Sequence, residues 1–302
     1  MFCTTNYPNA TDRALAMTQL SFFDTTLDKA TVNVSRVSQL SPFRYAGGKT
    51  WFVPTLRTWM KSFGSKPRMF IEPFCGGGIC SLSVASEGLA DHVVMVELDK
   101  CVASVWQTIF SVDAQWLIDK IVEFPEDPDL ARSVIESEPR ATHELAFQTI
   151  VRNRLLHGGI LASGSRMIKN GENGRGPFSR WYPTTLAKRI KYLNEIRDRI
   201  TFIHGDGFDV MRQYGRRKTA CWFIDPPYTA SAKSAGKRLY VHHELDHGRL
   251  FKTMSKVHGK VLMTYDNVPE VCDLASEHNY SVDTISMKNT HHTKKLELMI
   301  TR

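Results

Sequence analysis

The 302-residue chain reads as an α/β protein with a parallel-rich sheet, and three observations say so. Short apolar runs alternate with segments whose apolar residues recur three and four apart, the pattern of strands joined by helical crossovers. One run, Met69-Phe70-Ile71-Glu72-Pro73-Phe74-Cys75-Gly76-Gly77-Gly78, breaks into glycines and then into a helical segment. Another, Cys221-Trp222-Phe223-Ile224, meets Asp225-Pro226-Pro227-Tyr228. Proline cannot donate to a ladder, so that strand stops at the acid. Open α/β sheets place their ligands at such carboxyl ends.

Composition narrows the field. At 42% hydrophobic and 23% charged residues the chain is of soluble globular type, not disordered or fibrous. Its length suits one large domain, or one domain with an insertion. Lys and Arg total 39 against 31 Asp and Glu, a net charge of +8 that favours a polyanionic partner. No apolar run approaches the roughly 18 residues of a membrane span, and the first residues lack the layout of a secretion signal. The six cysteines form no Cys-x-x-Cys pair. They read as reduced core residues of a cytoplasmic protein, without a disulfide framework or a metal site.

In chain order, residues 1–40 are rich in Thr, Ser and Asn and read as a poorly ordered arm. Order is expected to begin at Ser41-Pro42-Phe43-Arg44-Tyr45-Ala46-Gly47-Gly48-Lys49, where glycines allow close backbone approach beside two rings and a lysine. A helix follows, with Trp51, Leu56, Trp59 and Met60 near helical spacing. Then comes the strand at 69–72, its glycine turn and a helix from Ile79 to Ala85. That layout brings backbone amides and a helix N-terminus to a nucleotide-like ligand. A second strand, His92 to Val96, ends in Glu97, an acid placed to take ribose hydroxyls. These elements point to an adenosine-type cofactor.

Ala114–Phe124, Pro128–Ile135 and Thr142–Leu156 carry helical periodicity. From 156 to 182 glycines, cations and aromatics mix without a helix period. Such a loop suits phosphates and bases, with Arg152, Arg154, Arg166, Lys169, Arg175, Arg180 and Tyr182 as contacts. Pro183 to about Arg199 is helical, Ile200–Ile203 a strand leading to Gly205-Asp206-Gly207-Phe208, and a helix starts near Asp246. Val261–Asp266 is a strand, and two β-rich segments follow from Tyr280.

Glu-Pro-Phe-x-Gly-Gly-Gly at 72–78, Asp-Pro-Pro-Tyr at 225–228 and the aromatic-Gly-Gly-Lys opening at 45–49 occur together in one chain. As a set they resemble the Dam-like adenine-N6 DNA methyltransferases, from about Ser41 onward. The resemblance implies a Rossmann-like methyltransferase sheet with an inserted helical DNA-recognition domain at 108–184, between catalytic parts 41–107 and 185–302. It implies S-adenosylmethionine as methyl donor and double-stranded DNA as partner. It places Phe43, Tyr45, Gly47, Lys49, Glu72, Pro73, Phe74, Gly76, Gly77 and Gly78 around the cofactor. Glu97 would meet the ribose, Asp206 and Phe208 the cofactor adenine, and Asp225 both cofactor and substrate. Gly207 departs from the family pattern, in which Asp and Phe are often adjacent, and so bears on Phe208.

The chemistry fits these residue types. The amine of adenine is a poor nucleophile because its lone pair is delocalised into the ring. The Asp225 carboxylate and Pro226 carbonyl would hold both amine hydrogens and aim the lone pair, with Pro227 shaping the turn and Tyr228 stacking on an extruded base. Phe43 or Tyr45 would face the sulfonium. The alternatives on this fold are cytosine-N4 methylation and a DNA-binding regulator without catalysis. His243-Glu244-Leu245-Asp246-His247 matches the zinc-protease pattern His-Glu-x-x-His, but a helix starting at 243–246 would not carry both histidines on one face. The expected setting is bacterial cytoplasm, with the chain bacterial or phage-encoded, monomeric, and with or without a restriction nuclease. Gln19-Leu20-Ser21-Phe22-Phe23 is similar to the peptide by which bacterial proteins dock on the replication sliding clamp. The other reading is that these apolar residues fold back on the catalytic domain.

Overall fold

The computed structural model describes residues 36–45, 47–161, 164–227, 245–288 and 294–302. The chain divides into two units, Met1–Val32 and Asn33–Arg302, and the described residues belong to the second. The Gln19–Phe23 segment, Tyr228 and the His243-Glu244 pair lie outside the described residues.

A 3-10 turn at Lys49–Phe52 leads into α1 (Val53–Lys61). Then follow β1 (Met69–Glu72), α2 (Ile79–Glu87), β2 (His92–Glu97) and α3 (Lys100–Ile109). Four further helices precede the next strand: α4 (Ala114–Glu123), α5 (Pro128–Glu136), α6 (Thr142–Leu155) and α7 (Pro183–Glu195). The chain continues through β3 (Ile200–His204), α8 (Gly207–Tyr214), β4 (Ala220–Ile224) and α9 (His247–Met254). It closes with β5 (Lys260–Asp266), α10 (Pro269–Glu277), β6 (Ser281–Lys288) and β7 (Lys294–Thr301).

The seven strands form one sheet in the order β3-β2-β1-β4-β5-β7-β6. β1 through β5 run parallel, whereas β7 pairs antiparallel with both β5 and β6. Both faces are covered, which explains why the central strands read as unbroken apolar runs. On one face Val94, Trp222, Met263 and Ile300 pack with Phe208 of α8, Phe251 of α9 and Val271 of α10. On the other, Phe52 stacks on Phe223 with ring centroids 5.6 Å apart, and Phe70 lies 6.4 Å from the same ring. The strand order reverses direction between β1 and β4. That is the point where an α/β sheet opens a crevice for ligands beyond its carboxyl ends.

Helix starts are fixed locally. Asp99 accepts from Cys101 N at 2.7 Å, Asp206 from Phe208 N at 2.9 Å and Asp246 from Arg249 N at 2.8 Å, each at an N-cap. α9 therefore begins only after Asp246, with His247 as its first residue. Among the described residues no group of His, Cys, Asp and Glu could hold a metal ion, and no helix is long and apolar enough to cross a membrane. The described residues of 156–182 (156–161 and 164–182) form a loop with short 3-10 turns and an antiparallel bridge, Leu156 to Met167.

Candidate active site

A cavity of about 400 Å³ opens beyond the carboxyl ends of β1, β2 and β4. Every residue that the sequence placed around a cofactor lines it, from Phe43 to Asp225, together with Pro226 and Pro227. The structure adds Leu98, Asp99, Val102, Ile160 and Arg249, which no motif marked.

The glycine turn after β1 is shaped by what approaches it. Gly76 has φ +47°, and a Cβ there would meet the Tyr45 ring at 2.6 Å. Only glycine permits both the conformation and the approach. The Gly76 carbonyl accepts from Trp106 Nε1 at 3.0 Å, and Trp106 meets the Phe43 ring edge-on with centroids 5.3 Å apart. Thus the turn is lined by Tyr45 and braced through Trp106 against Phe43.

Two carboxyls flank that turn. Glu97, at the end of β2, accepts from Gly76 N at 2.9 Å and from Asp99 N at 2.8 Å. Burial pushes its pKa up to about 7, against the pull of the Asp99 and Gly76 amides. Glu72, at the end of β1, accepts from both the backbone N, at 3.0 Å, and the hydroxyl of Ser81, so it ties α2 to the strand. Burial pushes Glu72 up to about 8 despite those bonds.

Gly207 has a physical explanation. A Cβ there would stand 2.7 Å from the Pro73 carbonyl, so the chain between Asp206 and Phe208 must be glycine for the two loops to touch. Phe208 is buried, and the Arg249 guanidinium lies over its ring, 4.1 Å from the centroid.

The decisive geometry lies at the end of β4. Asp225 Oδ1 is 2.9 Å from Lys49 Nζ and accepts from Thr264 Oγ1 at 2.8 Å. Lys49 is buried, its side chain 5% exposed, and stands also 3.7 Å from Glu297 Oε2. The motifs near 45, 72 and 225, far apart in sequence, therefore meet in one cavity. The model of the family described as D12 class N6 adenine-specific DNA methyltransferase matches residues 45–295, which include all three.

The chain belongs to this D12-class family. No curated protein matches its sequence. Among solved structures it is similar to a Pyrococcus horikoshii protein provisionally named an RNA methyltransferase, at 11% identity and TM-score 0.42, with 90% of this chain and 94% of that one covered. It is also similar to a Geobacter sulfurreducens methyltransferase at 11% identity and TM-score 0.38, covering 98% and 96%.

Membership implies S-adenosylmethionine as the methyl donor of this D12-class methyltransferase, and the cavity fits such a group. Its glycine turn has no room for a Cβ, an acid ends β2, and the N-terminus of α2 follows directly. Gly76–Gly78, Glu97 and Asp206 would hold the donor, with Phe43 and Tyr45 walling it.

The residues expected to meet DNA divide into two groups. Arg154 does not sit on the surface. It is 5% exposed and donates to the Pro42 carbonyl, while burial and the nearby Arg189 and Arg44 disfavour its charged form. Arg189 likewise donates to Ser41 O at 2.8 Å. Beside them Asn153, fully buried, accepts from Arg44 N at 2.8 Å and donates to Arg44 O at 2.9 Å and Gly159 O at 2.8 Å. Asn153, Arg154 and Arg189 thus fasten the segment carrying Phe43 and Tyr45. Tyr182, Arg166 and Lys169 are exposed. Arg175 and Arg180 pair with Glu126 and Glu172, and Arg152 donates to Leu161 O at 2.8 Å.

Proposed function

We propose that this chain methylates the exocyclic N6 of adenine in duplex DNA, acting on a base rotated out of the stack. The observation that carries the reading is the position of Asp225, at the mouth of β4 beside the glycine turn, with Oδ1 already engaged by Lys49 and Thr264. In that arrangement Oδ2 would be the oxygen that addresses the substrate amine.

Asp225 Oδ2 and the Pro226 carbonyl would each accept one N6 hydrogen, drawing the lone pair out of conjugation and fixing its direction. Bound S-adenosylmethionine supplies an electrophilic methyl on a sulfonium. The Asp225 carboxylate, 23% exposed, would stabilise the positive charge that N6 acquires, more strongly than a carboxylate in bulk water would. Tyr228 would provide the face on which the extruded base stacks. Arg166, Lys169, Arg175 and Arg180 on the loop at 157–182, with Arg152 and Tyr182, would engage the duplex. The helical insert at 108–184 would be the recognition domain.

The test is expression in a host lacking DNA methylation, followed by sequencing that reports modified bases. N6-methyladenine at a defined site is the expected result. N4-methylcytosine, or unmodified DNA from a folded, cofactor-binding chain, would overturn the reading.

A further inference from the structure

Outside every motif that the sequence marked, one buried carboxyl faces the lysine that holds Asp225. Glu297 lies on β7, its side chain 2% exposed, with Oε2 3.7 Å from Lys49 Nζ. The same Nζ is 2.9 Å from Asp225 Oδ1. Because β7 runs antiparallel to β5, with Glu297 opposite Asp266, the start of β7 reaches the sheet edge where the cavity opens.

Burying a carboxylate is expensive, and replacing a whole buried ion pair by hydrophobic residues often costs nothing or even stabilises. Neutralising Lys49 is not sufficient reason for Glu297, since Asp225 already stands closer to the ammonium. What a second carboxylate changes is the field at Asp225. A lysine bound to Asp225 alone would weaken it as an acceptor, whereas a lysine shared between two acids draws less on the negative charge of Asp225. That is the charge that a developing cationic N6 needs.

We propose that Glu297 is a positioning residue for methyl transfer, holding Lys49 between two carboxylates so that Asp225 keeps its strength toward the substrate amine. The proposal rests on the role given to Asp225 above.

The experiment uses the full chain with S-adenosylmethionine and duplex DNA in single turnovers. Glu297→Gln keeps the shape and removes the charge. The rate should fall about 10- to 100-fold, as when a supporting partner is removed, while the dissociation constants for cofactor and DNA stay unchanged. A second measurement needs no activity. Lys49→Met removes the ammonium from beside the buried Glu297 carboxylate and should lower the melting temperature, and adding Glu297→Gln should recover part of that drop. A wild-type rate in Glu297→Gln overturns the proposal and leaves the role of Asp225 standing. Parallel loss of rate and cofactor affinity, or no recovery in the double variant, overturns it too. If Glu297→Gln fails to fold, Glu297→Asp decides, because it draws the charge one methylene away from Lys49. Its rate should fall with cofactor affinity intact, and an unchanged rate overturns the proposal. A folded wild-type chain that leaves adenine unmethylated overturns the reading of Asp225 itself, and this inference with it.

Discussion

Lys49 Nζ and Asp225 Oδ1 stand 2.9 Å apart, joining the turn before α1 to the end of β4 across the point where the sheet changes direction. The pair fixes one carboxylate oxygen and leaves the other to act. Asp225→Asn or Asp225→Ala should therefore lower turnover by at least about 100-fold, the scale for losing one preorganised electrostatic partner. Cofactor affinity should survive, and isothermal titration beside single-turnover rates separates the two. A wild-type rate in Asp225→Ala would remove the carboxylate from the mechanism.

Glu97 carries a pH signature. Burial lifts its carboxyl to about 7, so it is protonated below that value and ionised above it. With Glu97 proposed as the acid that meets the ribose, only its carboxylate would accept from both hydroxyls, so cofactor affinity should rise as pH climbs through about 7 and then level off. Without cofactor the sign reverses for stability. The folded state keeps a proton that the unfolded chain gives up at its ordinary, lower pKa, so stability drains away as pH rises through the same value. Glu97→Gln should bind cofactor more weakly and with no such pH dependence. Persistence of the dependence in that variant would assign it to another group.

Asn153 holds the backbone of Arg44 at both N and O. Its side chain is fully buried, so Asn153→Ala would leave that amide unpaired in the interior. The expected cost is about 2–4 kcal/mol in urea denaturation, accompanied by weaker cofactor binding as Phe43 and Tyr45 lose their anchorage. Wild-type stability would show that water or a rearranged strap replaces the amide group.

The loop at 157–182 should read out in salt. Neutralising Arg166, Lys169 and Arg175 together should weaken DNA binding and flatten the logarithmic salt dependence by about one unit for each phosphate no longer engaged. A residue that reads a base edge instead should cost about 1–3 kcal/mol at one position of the target site. An unaltered slope would mark the loop as ordinary surface.

Much of this site is visible in the chain because strand ends announce themselves chemically. Glu72, Glu97 and Asp225 each stand where an apolar run stops at a proline, glycine or acid, and the sheet places all three at one edge. Thr264 and Glu297 give no such sign. Their positions beside Asp225 and Lys49 arise from the pairing of β4 with β5 and of β5 with β7, which no local pattern encodes. α3 is absent from the expected helices for a different reason. Val102, Val105, Trp106 and Ile109 do stand at helical spacing and are all buried, but a short helix directly after the β2 strand end carries no turn signal to set it apart. Arg154 misleads because spacing alone cannot tell a cation facing solvent from one turned inward to bind a backbone carbonyl.

The place of Glu297 on β7 also bears on how the protein is made. β2 and β3 are neighbours in the sheet, yet the chain runs through α3 to α7 between them, and Lys49 waits for partners from β4 and β7. Contacts between segments so distant in sequence close slowly, since the entropy of the intervening loops is given up before any pairing rewards it. During synthesis β1 and β2 emerge with Lys49 and the glycine turn long before Asp225 and Glu297 exist. The growing chain thus holds half of a cofactor cradle until β4, β5 and β7 dock. Completion of the sheet and completion of the charge arrangement are one event, so an unfinished chain has no working site.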